Sequence, residues 1–236
     1  MPHLRKKEAR EISIEIPCES TVRKVMEQIG LIQKPHRKTK GITKADREAR
    51  KYDDLLKRDF NADKPLEKAV TDISELKAKD GKIYVSAIFD CFDLMPLGLS
   101  IEDNMRASLC CHTIENAKKE YPDITGCIIH SDRESQYTST EYRKVIQQYG
   151  IIQSMNSAGG RCHDNARCES MWVRMKEELF YSRSDKSENY TMSELKTMLW
   201  RYFMSYWANR RICTANVGLP PAVKRKRYYE AEGLAA

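Results

Sequence analysis

No run of apolar residues in this chain of 236 approaches the roughly 18 that a membrane-crossing helix requires, and the mean hydropathy is -0.66. A transmembrane helix is thereby excluded. The charged opening MPHLRKKEAREISIEIP lacks the apolar segment of an export signal, so the expected location is the cytoplasm, where thiols stay reduced. None of the eight cysteines stands in a Cys-x-x-Cys pair and only Cys110 and Cys111 are adjacent, which argues against a structural zinc or a redox centre. Internal repeats are also absent. The length suits one good core with a smaller appendage rather than two full domains.

Charge, by contrast, is plentiful and unevenly spread. The net of +7 conceals basic ends and an acidic middle: residues 1–68 carry 18 basic and 12 acidic side chains, residues 69–200 carry 16 and 20, and residues 201–236 carry 7 and 2. Carboxylates that hold metal ions between flanks that meet a polyanion produce such a distribution, and so does an ordinary solvated surface.

Along the chain, ESTVRKVMEQIGL at 19–31 puts Val22, Val25, Met26 and Ile29 on one helical face, with Ser20 or Thr21 as the cap and Gly30 as the stop. The following QKPHRKTKGITKADREA offers little to bury. It reads as an extended basic arm, with Arg37, Lys38 and Lys40 suited to a phosphate backbone, or as a plain linker. A second helix is expected over 44–58. From residue 69 the period changes to two: AVTDISEL, an Asp80-Gly81 turn, IYVSAIFD, and a turn near Phe92 before a third strand. A helix over 104–121, the strand ITGCIIH, a helix over 139–149, the strand GIIQSM, a glycine-containing loop and a helix over 165–180 follow. The order β-β-β-α-β-α-β-α predicts an α/β fold with helices packed on a mixed sheet. Residues 190–210 predict an amphipathic helix whose aromatics pack back on the core or on another subunit rather than stacking on bases. Pro220 and Pro221 are expected to end regular structure, leaving the KRKR at 224–227 as a frayed charged tail.

Three acids carry the chemical interest. Asp72 is a charge inside the first strand, where an uncharged residue costs less. Asp132 lies two positions past the strand ending at His130, and Glu169 lies near the start of a long helix. The three can converge at a sheet edge as oxygen ligands, which favour magnesium or manganese over zinc, and such a cluster repels itself unless cations bind it. Taken singly, Asp132 can instead cap a turn, Glu169 can face solvent, and Asp72 can bond to neighbouring backbone.

Read together, VTDI at 70–73, GKIYVSAIFDCF at 81–92, HSDRESQYTS at 130–139, GIIQSM at 150–155 and CHDNARCESMWVRMKEEL at 162–179 resemble the DDE catalytic core of bacterial insertion-sequence transposases. More closely, the chain looks like the second-reading-frame product of two-frame elements, whose core is similar to retroviral integrase. The resemblance runs over residues 60–221. It implies a ribonuclease-H-like fold, a partial helix-turn-helix-like region with a basic linker over 1–60, an integrase-like core over 61–185, and a C-terminal aromatic helix with a basic tail over 186–236. It also implies that Asp72, Asp132 and Glu169 are catalytic ligands of Mg2+, or of Mn2+. Two metals then activate water or a DNA 3' hydroxyl for in-line attack on a phosphodiester, nicking element ends and joining them to target DNA. Ser131, Gln136, Tyr137, Asn165 and Lys176 are implied to position the DNA, Lys176 lying two turns beyond Glu169 on one helix. The implied partners are DNA, further copies of the chain and a first-frame transposase protein, in a bacterial cytoplasm at the nucleoid and away from membranes.

The sequence departs from the family words at several points. Glu134 stands where glycine follows the arginine, adding a negative charge two residues from Asp132. The segment before Glu169 is one residue longer, Ala69 replaces a tryptophan, and the N-terminal region and the C-terminal continuation match only in part. Two other readings therefore stand beside a transposase: a ribonuclease-H-like nuclease without strand transfer, and an inactive DNA-binding or assembly remnant.

Overall fold

Alternation of apolar and polar residues, a two-residue turn and β-branched side chains make residues 68–102 a meander of three strands, β1 (Lys68–Ala78), β2 (Gly81–Asp90) and β3 (Pro96–Glu102). In this computed structural model, residues 17–31, 52–157 and 166–233 are described. Arg37, Lys38, Lys40, Asn165 and most of the helix expected over 44–58 lie outside them. Two short parallel strands, β4 (Ile128–Ser131) and β5 (Ile152–Met155), extend the sheet on the other side, giving the order β3-β2-β1-β4-β5. β1 is the hinge of the topology: it pairs antiparallel with β2 and parallel with β4.

Because β1 alternates, its two faces feed two apolar layers. Val70 and Leu76 join Phe89 beneath α5 (Ala166–Leu179) and α6 (Met192–Trp200), and Ala69 joins Ile88 beneath α2 (Ala107–Glu120) and α4 (Thr140–Gln148). A one-turn helix, α3 (Ser135–Thr138), precedes α4, whose N-cap Ser139 accepts the Tyr142 N–H. Ala69, which stands where the family words have tryptophan, is fully buried among Ile88, Ile129 and their neighbours. Among the described residues no helix is long and apolar enough to cross a membrane.

Close approach of α2 to β3 depends on Gly98. A Cβ built there would lie 2.4 Å from the Thr113 carbonyl oxygen and 2.9 Å from the Ala117 Cβ. Gly98→Ala must therefore push a helix backbone off the sheet at about 1–3 kcal/mol. A fall of about 5 °C in Tm is expected in thermal unfolding; an unchanged Tm would mean that α2 moves freely on the sheet.

Four expectations need correction. The cap of α1 (Glu19–Gln28) is Cys18, not Ser20 or Thr21, whose hydroxyls instead contact the Cys18 Sγ at 3.0 Å each. The described part of the expected second helix, 52–58, is not helical. The Leu55 N–H donates to the Ser154 Oγ (3.0 Å) and the Met155 N–H to the Asp53 carbonyl (3.2 Å), so β5 holds residues 53–55, after which the chain turns through Lys57 and Arg58, both at positive φ (48° and 67°). The aromatic helix is not regular either: α6 passes into a π-helix over Arg201–Trp207. Its i→i+5 bonding stacks Trp207 over Tyr202, and Tyr202, Phe203 and Trp207 all reach the core.

The fourth correction concerns the basic tail. Pro221 does not end structure but opens α7 (Pro221–Ala231), the position where a proline's missing N–H costs nothing. Arg225 of the KRKR run is buried on Asp90 and Asp93, both fully buried at the end of β2. Its Nε meets Asp93 Oδ2 at 2.7 Å and its Nη2 meets Asp90 Oδ2 at 2.6 Å. Lys224 donates to the Phe92 carbonyl and lies 4.3 Å from the Phe92 ring centroid.

Candidate active site

The parallel pairing of β1 with β4 sets the site. Val70 is opposite His130, so two residues further along both chains Asp72 comes level with Asp132, just past the end of β4. Asp72 shares the parity of Val70 and thus the face of the sheet that α5 covers. Backbone fixes both carboxyls locally: Asp72 Oδ1 accepts the Ile73 N–H and Asp132 Oδ1 accepts the Glu134 N–H, each at 2.9 Å.

Glu169 arrives from α5, which Cys168, Met171, Trp172 and Met175 fasten to the core. Trp172 is the anchor. Its ring packs edge-on against Phe89 (5.9 Å) and Phe203 (5.7 Å). Its indole N–H, which has no close hydrogen-bond partner among the described residues, favours the charge of Asp72. At the start of the helix, Arg167 Nη1 donates to the Cys91 carbonyl at 2.6 Å and ties α5 to the end of β2. Lys176 lies two turns beyond Glu169, half-buried, with Asp72 and Glu75 supporting its charge while desolvation pulls its pKa down.

The electrostatics are those of crowded acids. Burial pushes the Asp72 carboxyl up to about 7; the charges of Glu134 and Glu169 add to the rise, and the Ile73 N–H and Trp172 oppose it. Burial also holds Asp132 well above the usual carboxylate range, followed by repulsion from Glu134 and then from Asp72. Glu134 therefore acts on both aspartates. Its φ of -63° is open to any residue, so nothing in the backbone calls for glycine there.

Among the described residues, no three His, Cys, Asp or Glu side chains are arranged to hold a metal ion. The facing pair Asp72 and Asp132 nevertheless suits a hard divalent cation. It offers oxygen donors only, and the charge of Asp72 adds to the rise in the Asp132 proton affinity, a repulsion that a cation relieves. Glu169 stands within electrostatic reach of Asp72 without completing a cage.

The remaining expected residues form the floor. Tyr137 is fully buried, with its hydroxyl 3.4 Å from Thr71 Oγ1 and its ring 5.3 Å from that of Tyr142. Gln136 Nε2 donates to the Met105 carbonyl at 3.0 Å, and the buried Ser131 receives the Asn156 N–H on its carbonyl at 3.1 Å. These contacts shape the turn that carries Asp132. Trp172 carries no signal of its own in the sequence beyond its position between Glu169 and Lys176, at helical spacing from each.

Comparison with known proteins bears on this arrangement. Residues 62–162 match the integrase core domain family. The chain is 33% identical over 175 residues to the transposase InsK assigned to insertion sequence element IS150 of Escherichia coli, a match covering 74% of this chain and 60% of that protein. It is 33% identical over 173 residues to a transposase-like protein of Haemophilus influenzae, covering 72% of this chain and 75% of the other. Its fold matches a chain in the simian T-cell lymphotropic virus intasome in complex with PP2A regulatory subunit B56 gamma, with a TM-score of 0.58 at 14% identity over 78% of this chain and 61% of that one. The mixed sheet flanked by helices is thus a ribonuclease-H-like fold, and the chain belongs to the integrase-core transposases related to those of bacterial insertion sequences.

Proposed function

We propose that the chain is a DNA transposase catalytic subunit that nicks the ends of an insertion element and joins them to target DNA. The observation that carries the reading is that Asp72 on β1 and Asp132 just past the paired strand β4 are both desolvated, with the Asp72 charge acting on Asp132. In this reading Asp72 and Asp132 hold Mg2+, or Mn2+, and Glu169 completes the ligand set. Bound divalent ions supply Lewis-acid stabilisation of the attacking and leaving oxygens of an in-line displacement. The Ile73 and Glu134 N–H groups orient the two aspartates, and Trp172 fixes the height of Glu169 above the sheet. Lys176 donates to a phosphate oxygen and offsets charge beside the acids. Ser131, Gln136 and Tyr137 act from beneath, by holding the loop of Asp132, while Asn165, Arg37, Lys38 and Lys40 contact DNA directly. Residues 61–185 form the catalytic core in this reading, flanked by the N-terminal basic region and a C-terminal segment. Processing of paired ends calls for at least two copies, with a first-frame protein supplying recognition of the ends.

Magnesium-dependent cleavage and joining of labelled DNA carrying element ends tests the proposal. Glu169→Gln is expected to cut both products at least about 100-fold while the fold survives. Equal activity of the two proteins would remove Glu169 from the site. Cleavage without joining would favour a nuclease. The remnant reading draws support from Glu134, whose charge adds to an already repulsive pair. A silent wild type that gains cleavage as Glu134→Gly would establish it and identify the lesion.

A further inference from the structure

The helix that carries Glu169 has a second face. Arg167, Ser170 and Arg174 recur at three- and four-residue spacing on α5, and helical geometry turns them away from Glu169 and Lys176. Together with Arg211 they line a cavity of about 300 Å³ whose walls include Met171 and Trp207.

Of the three guanidinium groups, Arg211 alone has a carboxylate partner among the described residues. Glu178 is taken in a fork by Arg211, at 2.8 Å to Nε and 2.5 Å to Nη2. Among the described residues Arg167 binds neutral groups, the Cys91 carbonyl and the face of Phe60, and no carboxylate pairs with it. Arg174 is exposed and forms no hydrogen bond or ion pair among the described residues. Both Arg174 and Arg211 bear on the Cys213 thiol, and Arg167 bears on Lys224, which extends the same row. Like charges around a concavity with apolar walls make a focused positive potential, in a form that matches phosphate oxygens.

Spacing favours a polyanion over a single phosphate. Two helical turns, about 10 Å, separate Arg167 from Arg174, more than one phosphate group bridges, so the pair suits successive phosphates of one strand. We infer that the cavity of Arg167, Arg174 and Arg211 grips the phosphodiester backbone of a DNA segment other than the one lying at the acids. The inference rests on the reading of the chain as a DNA-processing protein. It adds a second contact on the opposite side of α5, where the protein can hold target DNA or the distal part of an element end while the acids work on the scissile strand.

Binding of a fluorescent random-sequence duplex, followed by anisotropy in EDTA over a series of salt concentrations, tests this independently of catalysis. Arg174→Ala is expected to weaken binding about fivefold at low salt and to reduce the slope of log Kd against log salt by about 1. Arg174→Lys should keep the slope, and Arg201→Ala, an exposed cation in a different groove, should leave both quantities unchanged. Wild-type binding that Arg174→Ala does not alter, or an equal loss in Arg201→Ala, overturns the site and leaves the catalytic proposal standing. Displacement of the duplex by millimolar inorganic phosphate at matched ionic strength would make this a free-phosphate site and overturn the inference. Failure of the wild type to bind duplex at any salt concentration would bring down the DNA reading itself, and the site with it.

Discussion

Arg225→Ala is expected to destabilise the protein by about 3–5 kcal/mol, because it strands two buried carboxylates that share one guanidinium. Asp90 and Asp93 are fully buried, and Arg225 reaches both, so alanine removes the counter-charge from each. Urea unfolding at pH 7 measures the loss. The deficit should shrink on acidification, and the sign follows from Asp90. Its pKa already stands at about 6 in the native state, raised first by burial and then by Asp93, with Arg225 opposing. Without Arg225 it rises further, so the native state takes up protons that the unfolded chain releases down to its own, lower pKa. Stability is therefore regained as the pH falls from 7 toward 5. A deficit below about 1 kcal/mol, or one that grows with acid, would show that α7 is held by something other than this clamp.

The second large effect is a gain. Asp72→Asn should raise the metal-free Tm by roughly 4–8 °C at pH 8, the equivalent of about 2 kcal/mol, by removing a charge that burial and two neighbouring acids disfavour. The sign again comes from a raised carboxyl. With a native pKa of about 7 against an unfolded model value of 3.8, the group's stability contribution is fully present below the unfolded value and is lost as the pH rises through about 7. The variant and the wild type should therefore converge near pH 4, separate progressively up to about pH 7 and stay apart by a constant amount above it. Magnesium should restore the wild type at pH 8 and leave the asparagine variant unmoved, since only the wild type offers the charged pair. A variant that melts lower than the wild type at pH 8 would mean that Asp72 is held in a favourable ion pair, with Lys176 the first candidate.

Most of the sheet was legible because its signals are local. The alternation through VTDISEL, the Asp80-Gly81 turn and the apolar IIH run lie within a few residues of the strands they specify. Asp72 was legible for the same reason, as a charge inside an alternating strand, and Glu169 as an acid at a helix start. What was missed depends on distant partners. The PAVKRKRYYEA segment has no apolar stripe, and its helix is recognisable only once Asp90 and Asp93, more than 130 residues earlier, are seen to need a cation. Residues 52–58 have a helical composition, but β5 supplies the bonds that fasten 53–55, and the chain turns at 57–58 instead of winding into a helix. The π-turns of Arg201–Trp207 likewise answer to a core that three aromatics must all enter. The resemblance named the three acids together, whereas register alone brings Asp72 and Asp132 level and leaves Glu169 at the edge of the pair.

The aromatic lid on the sheet also sets a timetable for synthesis. Trp207 donates its Nε1–H to the Leu94 carbonyl, across 113 residues, so the roof over the face of β1 and β2 that carries Asp72, begun by α5 and α6, is not closed until the chain has grown past that tryptophan. At typical elongation rates the interval is about 6–20 s. A ribosome stalled early in it presents an unroofed apolar sheet that carries Asp72 but not yet Asp132 or Glu169, a species for chaperones and proteases rather than for DNA.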